Sequence, residues 1–251
     1  LDYEIVSGKS LHDFIVAFRP LSTPIIRHFG AQILNAIEYI GMKGLVHCDL
    51  NPSNIMLTNE GRVKVIDFGM TIPIGGSHDI LKNANLGVVA PEVHDGPLGV
   101  QADIWSWGFL MFLMVSGDKK PCKPEDNHCK NIMWPLIEHR PEFVGIIKMA
   151  LTRPVAQRPT VAALKHFNLF RDIIDWNTIA SQSIPLHEES PEVATRIQRH
   201  LNAPLTILRK DRIEAFERQV AEEEKTIPLE LIDHAHDTLS RWAQDGFPLD
   251  I

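Results

Sequence analysis

His47-Cys48-Asp49-Leu50-Asn51-Pro52-Ser53-Asn54, followed thirteen residues later by Asp67-Phe68-Gly69, is the stretch from which the rest of this 251-residue chain can be read. Pro52 keeps the first segment from becoming helix, so Asp49 and Asn54 can turn toward one cleft. Ile55-Met56-Leu57 is a short apolar run, Thr58-Asn59-Glu60-Gly61 is a turn, and Val63-Lys64-Val65-Ile66 alternates and is β-branched. The two runs therefore read as a hairpin. Asn54 stands at its entrance and Asp67 at its exit. Because both ends of a hairpin lie side by side, an amide oxygen and a carboxylate are brought together beside the carboxylate of Asp49.

Working outward, Ala90-Pro91-Glu92, then Asp103-Ile104-Trp105-Ser106-Trp107-Gly108, then Gln157-Arg158-Pro159-Thr160 follow in that order. With the two opening motifs these make five landmarks that together resemble the large, C-terminal lobe of eukaryotic protein kinases, and the resemblance runs to about Arg171. It implies a mainly α fold, a helical lobe with short β-hairpins. It also implies ATP and Mg²⁺ as cofactors, with transfer of the γ-phosphoryl group to a hydroxyl of a protein substrate, Ser or Thr by class. On the same resemblance Asp49 orients the substrate hydroxyl, Asn51 belongs to the catalytic corner, and Asn54 and Asp67 hold the metal. Met56 forms part of the adenine floor, and Glu4 and Val6, in a hinge-like strand, offer backbone groups to the adenine edge. His47 is expected to pack under the Asp-Phe-Gly loop, Asp103 to hold the catalytic-loop backbone, and Arg158 to pair with Glu92.

Three positions depart from the family pattern. Cys48 replaces an arginine that ordinarily receives an activation-loop phosphate, which places the chain with the His-Cys-Asp subclass and predicts no such switch. Asn51 replaces a lysine, removing a positive charge from a site that stabilises negative charge. Asn85 replaces a threonine that links the substrate loop to the catalytic aspartate. These changes keep a second reading open, a pseudokinase or kinase-like interaction module. The Gly-rich phosphate cover, strand lysine and helix glutamate of a kinase small lobe are not among these residues, so the chain is expected to be a large lobe without its lid and to show little catalysis alone. A small-molecule phosphotransferase would share His-x-Asp, Asn and a later Asp, but Ala90-Pro91-Glu92 and Arg158 favour the protein-kinase branch.

Composition agrees with a globular protein, 44% hydrophobic and 23% charged. The net charge of -7 arises entirely beyond residue 172, where 15 acidic side chains face 8 basic ones. No basic surplus exists for nucleic acid or an anionic membrane. The longest apolar run, Ile104 to Val115, is too short for a bilayer span. Three cysteines suit a reducing cytoplasmic or nuclear compartment rather than secretion, and Cys122, His128 and Cys129 lack a four-ligand zinc spacing. The first residue is Leu, as expected of a piece of something longer.

Two parts are expected: a kinase-like lobe over 1–172 and an acidic helical extension over 173–251. Ser190-Pro191-Glu192 starts a helix, and amphipathic patterns follow over 206–225 and after Pro228. These helices are expected to pack on the lobe or to dock a protein partner. His234 and His236, two apart, do not share a helix face and so do not suggest a metal pair.

Overall fold

A helix that is apolar on every side can only sit at the centre of a fold. Val100–Ser116 is that helix, α3, and in the computed structural model every residue from Ala102 to Val115 is buried. Trp105, Trp107, Phe109 and Phe112 are among its fully buried side chains, each contributing about 2 kcal/mol or more of apolar burial. The helix starts at Val100, a turn earlier than the Asp103 motif suggests. It stops at Gly117, whose φ of 69° is a left-handed conformation that its missing Cβ permits, with its N–H on the Leu113 carbonyl.

The structure describes residues 8–77, 89–94, 96–122, 131–173 and 175–203. Outside them lie Glu4 and Val6, Asn85, His128 and Cys129, and the expected helices after residue 204 with His234 and His236. The chain divides into two compact units, Leu1–Ala203 and Pro204–Ile251. The first continues past the expected lobe boundary at 172.

Around α3 the architecture is mainly helical. Leu11–Phe18 (α1) is capped by the Ser10 hydroxyl, which accepts from Asp13 N. Thr23–Met42 (α2) has Pro24 in its first turn and lays one apolar stripe on α3, where Trp107 Nε1 donates to Gly30 O at 2.8 Å. Pro141–Ala150 (α4) packs on the other side of α3. The helical pattern over 160–170 resolves into Val161–Lys165 (α5) and a separate 3₁₀ turn, Asn168–Phe170, because Phe167 between them is extended. Pro191–Asn202 (α6) begins where Ser190 predicts, its hydroxyl accepting from Val193 N, and buries Ile197 and Leu201.

Two small antiparallel sheets flank this body. Lys9–Ser10 (β1), Ile55–Leu57 (β3) and Val63–Val65 (β4) form one, in the order β1-β3-β4 with Ile55 opposite Val65. Leu45–Val46 (β2) pairs with Ile72–Pro73 (β5) in the other. The first sheet is the expected hairpin, and β2 feeds directly into the His47 loop. Among the described residues no helix is long and apolar enough to cross a membrane. Cys48 is a free thiol, whereas Cys122 is disulfide-bonded, a difference from the all-reduced expectation.

Candidate active site

The site begins with a backbone that would not hold itself. Cys48 has φ 67°, a left-handed conformation that costs a non-glycine residue roughly 1–2 kcal/mol. The fully buried carboxylate of Asp103, on α3, compensates by accepting from His47 N at 2.8 Å and Cys48 N at 2.9 Å. Burial pushes the Asp103 carboxyl up to about 6, against the pull of those two N–H groups. The same burial, with Asp103 and Asp49 nearby, raises the Cys48 thiol far above its ordinary range, so this thiol stays protonated and inert.

His47 is fully buried, and burial lowers its pKa despite the carboxylates of Asp49 and Asp67, which both act on it in the opposite sense. The imidazole is therefore neutral at pH 7. Its Nε2–H donates to Ile66 O at 3.2 Å, and its Nδ1 accepts from Asp49 N at 3.3 Å. Its ring packs on Phe68 with centroids 5.0 Å apart. One side chain thus ties the Asp49 loop to the segment that carries Asp67.

Asp49 itself is half-buried and clamped from both sides. Asn54 Nδ2 donates to its Oδ2 at 2.8 Å and to its backbone O at 2.9 Å, and Asn51 Nδ2 donates to its Oδ1 at 3.0 Å. Asn51 Oδ1 in turn accepts from Ser53 N and Asn54 N, closing the loop on itself. The sequence pattern marks Asn51 only as a missing lysine; its role as a clamp emerges from side-chain geometry.

Because Asn54 spends its nitrogen on two oxygen acceptors, its amide oxygen is the atom left over, and it takes no hydrogen bond among the described residues. Asp67 is exposed, sits at φ 63°, a conformation Asp tolerates, and accepts from Gly69 N at 3.2 Å. Ile66 N donates to Asn54 O at 2.9 Å, which closes the open end of the hairpin and sets the two residues at adjacent strand ends. Uncommitted oxygens from one amide and one carboxylate are hard donors, the type that suits Mg²⁺ shared with phosphate oxygens and water. Among the described residues no group of three His, Cys, Asp or Glu is arranged for a metal.

Met56 lies at the centre of β3, between Ser10 and Lys64, on the face opposite the buried Ile55 and Leu57. Glu92 and Arg158 form a bidentate pair at 2.6 and 3.0 Å, with Arg158 also donating to the carbonyls of Gln101, Thr152 and Arg153. Asp49, Asn54 and Asp67 gather at the open end of the hairpin. Cavities of about 570 and 470 Å³ lie elsewhere, one between α2 and residues 172–188, the other between the α1–α2 turn, His139-Arg140 and α6, and none of the three residues lines either.

Comparison with known proteins places this geometry in context. The family model described as "Protein kinase domain" matches residues 1–170. The chain is 32% identical over 219 residues to 3-phosphoinositide-dependent protein kinase B of Dictyostelium discoideum, covering 74% of the chain and 24% of that protein. It is 29% identical over 218 residues to 3-phosphoinositide-dependent protein kinase 1 of Arabidopsis thaliana, covering 76% of the chain and 44% of that protein. With CBL-interacting serine/threonine-protein kinase 8 of Arabidopsis thaliana it shares 36% identity over 118 residues, 45% of the chain and 26% of that protein. The chain spans between about a quarter and less than half of the length of these relatives.

Proposed function

The chain belongs to the protein kinase family, and from that premise we propose that it forms the catalytic lobe of a Ser/Thr-directed kinase, one that moves the γ-phosphoryl group of ATP to a protein hydroxyl with Mg²⁺. The observation that carries this reading is the arrangement at the hairpin's open end: Asp49 fixed by two amides, with Asn54 and Asp67 at adjacent strand ends, each keeping one side-chain oxygen outside those hydrogen bonds. Asp49 accepts the proton of the attacking hydroxyl and so orients the oxygen at phosphorus. The new O–P bond forms as the bond to the β–γ bridging oxygen breaks, and ADP leaves with the electron pair. Asn54 and Asp67 hold the metal, which neutralises phosphate charge when bound. Asp103 and His47 keep the two loops in register. Met56, with Glu4 and Val6, receives the adenine.

Residues 1–251 contain no Gly-rich phosphate cover and no strand lysine with its partner glutamate, and catalysis needs both. We therefore assign little turnover to these 251 residues alone and measurable phosphate transfer to a protein in which a small lobe is supplied. In such a protein Asp49→Asn lowers kcat by at least about a hundredfold, the size of a lost positioned base. An Asp49→Asn variant with undiminished phosphate transfer overturns the assignment.

The competing reading, a kinase-like interaction module, draws on Asn51, which occupies Asp49 where the family carries a lysine. It requires partner binding that survives Asp67→Ala and fails when residues 204–251 are removed.

A further inference from the structure

We infer that Gln32 is a positioning residue for the metal-binding end of the hairpin, acting through a strap formed by residues 182–201 of this same chain. The inference rests on the reading of Asn54 and Asp67 given above, which it deepens.

The hairpin that carries those two residues has strands of only three residues each, Ile55–Leu57 and Val63–Val65. A ribbon this short is marginal on its own, and its aim is set by whatever grips its closed end. That end lies roughly 10 Å of strand away from Asn54 and Asp67, so a tilt there is carried directly to the metal ligands.

Four residues grip it. From α2, Gln32 is 3% exposed and uses both ends of its amide: Oε1 accepts from Val63 N at 2.7 Å, and Nε2 donates to Gln182 O at 2.8 Å. Also from α2, the buried His28 lies with Nε2 2.9 Å from Gly61 O. From the strap, Ile184 N donates to Glu60 O at 2.9 Å, and its side chain covers Gly61 so closely that a Cβ there would stand 2.6 Å from Ile184 Cβ. Gly61 also has φ 71°, so the turn is closed to other residues by conformation as well as by contact. Farther along, Gln198 Nε2 donates to Asn59 O at 3.0 Å while Ile197 and Leu201 anchor α6 in the core.

Gln32 is the one side chain among the described residues that hydrogen-bonds both β4 and the strap, so it couples the strap's seating to the angle of the hairpin. It touches neither nucleotide nor metal in the proposed reaction. The strap's seating thereby tunes Mg²⁺ affinity.

Two substitutions separate the coupling from general packing. Gln32→Glu keeps an acceptor for Val63 N and loses the donor to Gln182 O; Gln32→Met loses both. Hydrogen–deuterium exchange on the full 251-residue chain reads the hairpin without any ligand. Expected is about tenfold faster exchange at Ile66, whose N–H closes the ladder on Asn54 O, in Gln32→Met and an intermediate change in Gln32→Glu, with α3 protection unaltered, as for a local opening. Ile184→Val, a milder change within the strap, serves if Gln32→Met does not fold, and is expected to loosen the same amide. Alongside, the Mg²⁺ midpoint for thermal stabilisation by ATP rises about tenfold in Gln32→Met, since only a native-state ligand shifts stability. A purely structural residue lowers the melting temperature and leaves that midpoint in place. Unchanged exchange at Ile66 in folded variants overturns the coupling. Loosened amides together with a wild-type chain that shows no response to Mg²⁺ and ATP uphold the coupling and overturn the functional reading on which its purpose rests.

Discussion

At the scale of single residues, Asn51 is the informative departure. A lysine there would place a charge near a transferring phosphate; Asn51 instead donates to Asp49 at 3.0 Å and caps two backbone N–H groups of its own loop. It exchanges charge stabilisation for rigidity of the base. Two outcomes follow in a protein completed by a small lobe. Asn51→Lys raises turnover by roughly tenfold through the restored charge. Asn51→Ala lowers it by about tenfold through loss of one neutral hydrogen bond and the order it imposes. Steady-state kinetics on the two variants checks both, and two rates equal to the parent's would show that Asn51 does neither. The sequence exposed the missing lysine because type and offset are visible there. The clamp was not legible, since it depends on rotamers.

At the scale of elements, α3 organises the site through buried electrostatics at both of its edges. On one edge Asp103 restrains the strained backbone of Cys48; on the other, Arg158 binds Glu92 in a fork while stacking over Trp105, 5.1 Å from its ring centre. The two differ in what their loss leaves behind. Arg158→Lys retains one charge but loses the fork and leaves the carbonyls of Thr152 and Arg153 without donors, so it costs on the order of 3 kcal/mol. Asp103→Asn leaves one buried N–H unsatisfied, about 1–3 kcal/mol, and is partly offset because the ionised Asp103 is itself disfavoured by burial. Urea unfolding should therefore rank Arg158→Lys as the more damaging of the two; the opposite order would contradict this account. Both pairs were legible as family landmarks. The division of 160–170 into α5 and a 3₁₀ turn was not, because nothing in the local pattern forbids a continuous helix there.

At the scale of the whole molecule, the body up to Ala203 joins the helical core and the segment beyond 172 into one unit. The apolar helix α3, the hairpin and the Ser190 cap could be read from periodicity and turn chemistry. The seating of 182–201 on the hairpin could not, since Gln32, Gly61 and Ile184 are far apart in sequence and individually ordinary. The buried histidines make this body sensitive to acid. His28 is lowered from 6.5 to about 4 by burial, against the pull of the Gly61 carbonyl. Its folded-state pKa lies below its unfolded one, so the unfolded chain takes up the proton first and stability falls as pH drops from about 6.5 toward 4. Asp103, raised to about 6, works in the opposite direction over the lower part of that range. Comparison with His28→Gln isolates the histidine: between pH 7 and 5 the variant gains on the order of 2 kcal/mol relative to the parent, measured by urea unfolding at each pH, and a constant difference would contradict the linkage. The central claim is that Asn54 and Asp67, beside Asp49, take a divalent cation together with nucleotide phosphate. Its most direct test is the paramagnetic broadening of backbone amide signals by Mn²⁺ and ATP in the 251-residue chain. The account predicts broadening centred on Asp49, Asn54 and Asp67 that disappears in Asp67→Ala; broadening centred elsewhere, or unchanged in that variant, would contradict it.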